Sequence, residues 1–124
     1  MGSSFLVVAA AVVSAFIVSM AWYGAFAGPM GMEDDGRPPL WKIAVELTRS
    51  VVVALVVAWL AARLGVAGLA GALGLGLVLW TGFPAVLLSG AVLWEGVPWR
   101  RAVLHAGDWL AKLLVVAVIV GLWG

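Results

Sequence analysis

The sequence predicts an all-α fold, a four-helix bundle integral to a membrane, on three observations. Hydrophobic residues make up 65% of the 124, and charged residues only 10%. Soluble domains carry about 25% charged residues, and one this short could not hide so much apolar surface. The apolar residues also fall into four runs. Each can cross a hydrocarbon core of about 30 Å, which takes about 20 residues at 1.5 Å apiece. Finally, the connections are short and rich in residues that stop helices. The whole chain, 1–124, reads as one transmembrane domain.

The first span runs from Ser4 to Gly28. Ala25-Phe26-Ala27 faintly resembles a signal-peptide cleavage site. No Lys or Arg precedes the run, however, and it is long for a signal peptide, so it is expected to remain as a span. The longest connection follows, Gly28 to Pro39 (GPMGMEDDGRPP), full of turn and helix-stopping residues. The second span runs from Leu40 to Leu64. Gly65 alone separates it from the third, Val66 to Trp94, which predicts a tight hairpin. The third span is over-long, and Pro84 can bend it. Glu95-Gly96-Val97-Pro98 leads to the fourth span, Trp99 to Trp123. Trp41, Trp94, Trp99 and Trp123 sit where interfacial anchors belong.

Arg37, Lys42, Arg100 and Arg101 fall on the side of the first and third connections, and only Arg63 on the other. The positive-inside rule then places those two connections in the cytoplasm and both termini on the non-cytoplasmic side. The neighbouring Glu33, Asp34 and Asp35 weigh little in that rule.

Several functions are excluded or disfavoured by composition. A net charge of +1 and the lack of a basic run argue against nucleic acid as a partner. With no cysteines there are no disulfides, thiolate nucleophiles or Cys-ligated metals, and one histidine rules out a multi-His metal site within one chain. No cofactor and no catalytic residue is expected. An enzyme is the least expected class, because the span hydroxyls of Ser14, Ser19, Thr48, Ser50, Thr81 and Ser89 do not adjoin His105 in sequence.

The informative residues are the ionisable ones inside the spans. In RAVLHAGDWLAKLL, the residues Arg101, His105, Asp108 and Lys112 share an arc of roughly 60° at 100° per residue. Asp108 lies roughly 9 Å into the span and Lys112 roughly 15 Å. In the second span Lys42, Glu46 and Arg49 share a similar arc of roughly 60°, with Arg49 also roughly 9 Å deep. An unpaired charge at a span centre costs about 2.5–3.5 kcal/mol. Glu46, Arg49, Asp108 and Lys112 are therefore expected to form a paired polar cluster with His105. Contact between Arg49 and Asp108 is expected across the helices. Lys42–Glu46 and Asp108–Lys112 also have the spacing of ordinary i,i+4 pairs, which would only lock helix register. His105 is expected as a polar partner rather than as a pH switch. Trp22 and Tyr23 in the first span, and Trp80, Thr81 and Pro84 in the third, lie at similar depth. They are candidates to line a cavity beside the stripe, with ordinary packing as the alternative.

Small residues mark packing faces at Ala11, Ala15 and Ser19, and at Ala67–Gly71 and Gly68–Ala72. Such ridges let helices approach within the chain or between chains. GALGLG is not a phosphate loop, since no strand precedes it and no Lys-Ser/Thr follows.

WYGAFAG (Trp22 to Gly28), the stretch GFPAVLLSGAVLWEGVPWRRAVLHAGDWLAKLL and the terminal GLW carry a family resemblance. The chain resembles a group of small bacterial membrane proteins grouped as domain of unknown function 1761. The second span is similar in hydropathy alone. The resemblance implies four membrane helices and a multi-pass place in the bacterial cytoplasmic membrane, and it carries over no activity or site residue.

Two functions are then expected from different classes. The first is a non-enzymatic accessory or assembling subunit whose polar cluster organises the bundle, with the lipid bilayer and a homo-oligomer or larger membrane complex as partners. The alternative is a small proton- or solute-handling transporter or channel working as a dimer; size and helix count resemble the small multidrug-resistance exporters, although the first span lacks their lone acidic residue. A cavity reaching Asp108 and Lys112 favours the second. A dry, fully paired cluster favours the first.

Overall fold

The computed structural model describes residues 2–26 and 39–123. The first connection, with Arg37 and the acidic run 33–35, lies outside the described residues, as do Ala27 and Gly28.

The described chain is helical throughout its long elements. These are α1 (Gly2–Phe26), α2 (Leu40–Leu64), α3 (Gly68–Gly82), α4 (Pro84–Glu95) and α5 (Trp99–Trp123). With α3 and α4 taken together, four stretches are long and apolar enough to cross a membrane. The bend expected at Pro84 is a full break. Phe83 leaves helical geometry at φ −122°, ψ −77°, and Pro84 opens α4 at its first position, where its missing N–H is not needed.

Both short connections turn on glycine. Gly65 has φ 67°, a left-handed backbone that favours glycine. The Val66 N–H returns to the Ala61 carbonyl at 2.9 Å, and the Gly65 N–H to that of Ala62 at 3.3 Å. This pair of bonds caps α2 and starts the hairpin. Gly96 ends α4 with φ 71°.

Helix α5 is the hub, packing against every other helix. α1 also packs on α2, and α3 on α4. The core combines Ala11 and Ala15 of α1, Ala54, Val57 and Ala61 of α2, Leu75 of α3, and Leu113, Val116, Ala117 and Val120 of α5. Small residues set the spacing. A Cβ on Gly76 would lie 3.0 Å from the Leu114 side chain, and one on Gly121 would lie 2.9 Å from the Ala72 Cβ. Close backbone approach of this kind is how helices associate when lipid supplies no hydrophobic drive. Ala11, Ala15 and Ala72 are thus buried within the chain. Trp41, Trp94, Trp99 and Trp123 remain exposed at helix ends.

Candidate functional site

Among the described residues two ion pairs form, each within its own helix. On α5, Lys112 Nζ lies 2.9 Å from Asp108 Oδ2. Both residues are almost wholly buried, Asp108 being 2% exposed and Lys112 7%. On α2, Arg49 Nη1 lies 2.9 Å from Glu46 Oε2, and both side chains stay substantially exposed. The expected Arg49–Asp108 contact does not form. The physical reason is proximity along the helix: each base meets an acid one turn away on its own helix. Of the two i,i+4 pairs expected as the alternative, Asp108–Lys112 forms. Glu46 instead takes Arg49, three residues on, rather than Lys42.

Aromatic residues complete the α5 pair. The Lys112 ammonium sits 4.1 Å from the centroid of the Trp109 ring, a geometry in which the negative ring face attracts the cation. Tyr23 of α1 reaches across to α5. Its hydroxyl is 2.5 Å from His105 Nδ1 and 3.4 Å from Asp108 Oδ2. A phenol has one proton, and a carboxylate can only accept. Both contacts are made together when His105 Nδ1 carries a hydrogen and donates it to the phenol, which donates in turn to Asp108. His105 is thereby a polar partner, as expected. Asp108 Oδ1 is buried and has no hydrogen-bond partner among the described residues.

These groups line one cavity of about 680 Å³. Lys42, Glu46 and Arg49 face it from α2, and His105, Asp108 and Lys112 from α5. The two predicted stripes are therefore brought together around a shared space, without bonding to each other. Tyr23, Ser19 and Phe16 contribute from α1, and Leu88 from α4. Helices α2 and α4 have no extensive packing with one another, so the cavity is a cleft between them, backed by α1 and α5. A separate recess of about 10 Å³ is lined by Val53 and Val116 together with Glu46, Arg49 and Lys112, too small for more than about one water.

Of the five cavity-lining candidates, only Tyr23 lines it. Trp22, Trp80, Thr81 and Pro84 do not, because each has another occupation. The Trp22 indole donates to the Leu104 carbonyl at 2.9 Å, and that of Trp80 to the Ala106 carbonyl at 2.8 Å. Thr81 Oγ1 donates to the Leu77 carbonyl one turn back, at 2.8 Å, and Pro84 starts α4. Trp22 also fills the space beside Gly107, where an added Cβ would collide with its ring.

Sequence reasoning missed Trp109, Phe16, Ile43 and Leu88 as lining residues. The Trp109–Lys112 spacing of i,i+3 was a usable signal. The other three carry no polar signature that marks a cavity wall. Among the described residues, no group of three or more metal-ligating side chains gathers.

A family model described as "Protein of unknown function (DUF1761)" matches residues 6–121. No curated protein and no solved structure matches the chain. The chain belongs to the DUF1761 family, as its resemblance implied.

Proposed function

We propose that this family member is a multi-pass integral membrane protein that handles a small polar solute or protons through its charged cleft. The observation that carries this reading is the size and lining of the cleft. About 680 Å³ falls within the roughly 300–1,000 Å³ of small-molecule sites. It is room for roughly twenty waters at about 30 Å³ each. A cluster serving only to lock helix register would close on itself. Here two acids and three bases instead border a space.

The accessory-subunit reading is less well supported. Two of the small-residue faces that could seat a partner, at Ala11–Ala15 and at Ala72, are occupied by this chain's own helices. The proposed place is the bacterial cytoplasmic membrane, with the connections at Lys42 and Arg100 facing the cytoplasm. Intramembrane ionisable groups bordering a cavity commonly mark a pathway. The reading assigns no chemical conversion.

The chain has no cysteine, so single cysteines report cleanly. Ser19→Cys and Ser50→Cys should react with a water-soluble thiol reagent added from the cytoplasmic side of sealed vesicles. Val57→Cys, packed in the core, should not. Unreactive cysteines at both 19 and 50 would return the cluster to a purely structural role.

A further inference from the structure

The chemistry of the cleft walls narrows what they can hold. Lys42, Arg49 and Lys112 face Glu46 and Asp108, three bases against two acids, so the lining is net positive with His105 neutral. Surrounded by lipid, an excess charge is poorly screened and attracts its opposite. Glu46 engages one nitrogen of Arg49, and a guanidinium has five N–H donors in a planar fork suited to a carboxylate or phosphate. Its other donors meet no acceptor among the described residues.

On the opposite wall Asp108 Oδ2 accepts from Lys112 and Tyr23, while Oδ1 is closed off, with no partner among the described residues. The anion-binding capacity therefore lies on the Arg49 side. Phe16, Ile43, Leu88 and Trp109 also line the cleft, and they suit a carbon skeleton better than a bare inorganic ion.

We propose that the cleft takes an organic anion, a carboxylate or phosphate. The anionic group meets Arg49. The inference rests on the cleft being a solute site. A free organic acid and an anionic lipid headgroup such as that of phosphatidylglycerol share this chemistry.

The test uses the full chain with Ser50→Cys in phosphatidylcholine vesicles. Labelling rates with an anionic and a cationic methanethiosulfonate are each normalised to the rate with a small thiol in solution. The anionic reagent should be favoured by roughly threefold or more, as expected for one net charge at close range. Arg49→Gln should remove that preference. Added benzoate should protect the cysteine, and Arg49→Gln should abolish that protection. Benzylamine should not protect. Protection by the free acid in pure phosphatidylcholine identifies a free acid as the occupant. Protection that instead appears on adding phosphatidylglycerol identifies the lipid headgroup. Both support the proposal. Labelling that favours the cationic reagent, or is blocked by benzylamine, overturns it while leaving the cleft as a solute site. Protection by neither benzoate nor phosphatidylglycerol overturns the proposal while leaving the cleft as a solute site. A cysteine inert to both reagents overturns the cleft reading and this proposal together.

Discussion

Asp108 and Lys112 are the residues on which the interior depends most directly. Removing one member of a buried pair leaves an uncompensated charge, at a cost of about 3–5 kcal/mol, whereas replacing both with apolar side chains is often near neutral. Lys112→Met alone should therefore lower the melting temperature in detergent sharply, and Asp108→Leu with Lys112→Met should recover most of the loss. Arg49 and Asp108, which share a cavity without bonding, should act independently. A double-mutant cycle with Arg49→Gln and Asp108→Asn should give a coupling below about 0.5 kcal/mol. Gly107 makes a steric prediction. Gly107→Ala would force the Trp22 indole aside, and overpacking of this kind costs about 1–3 kcal/mol. The penalty should largely vanish in a Trp22→Leu background, as melting curves of the four combinations would reveal.

At the level of the elements, the break at Phe83–Pro84 sets where α4 lies and so carries Leu88 to the cleft. Pro84→Ala restores a backbone donor and allows α3 and α4 to run on as one helix. A cysteine at position 88 should then react more slowly with a water-soluble thiol reagent. This feature was legible beforehand because a proline inside an over-long apolar run acts locally. The helix ends were legible for the same reason, since Gly65, Gly96 and the end tryptophans state their positions in the chain itself. The two charged faces were also legible, because helical periodicity fixes which side chains point together. Which charges would bond was not. Arg49 had candidate acids on its own helix and across the cleft, and spacing alone does not rank a neighbour one turn away against one on another helix. The indole bonds of Trp22 and Trp80 were hidden for a different reason. Their acceptors are main-chain carbonyls, which every residue has.

For the molecule as a whole, α5 holds the assembly together, and both cleft walls are lightly held: α2 buries Ala54, Val57 and Ala61, and α4 has no buried residue. Charge near the span ends predicts its threading. Tags fused at either terminus should be accessible to protease on the non-cytoplasmic face of intact cells, and a tag inserted between Gly96 and Pro98 should be protected. Both ion pairs are internal to a helix. Helix α2 can therefore tilt away from α5 carrying its own counter-ion, and α5 keeps its own. Such a rocking motion separates no opposite charges. It is opposed by the loss of packing of α2 on α1 and α5, around Ala54, Val57 and Ala61. A wall that can move without parting an ion pair is what the proposed solute handling would need if the site is to be reached from either side in turn.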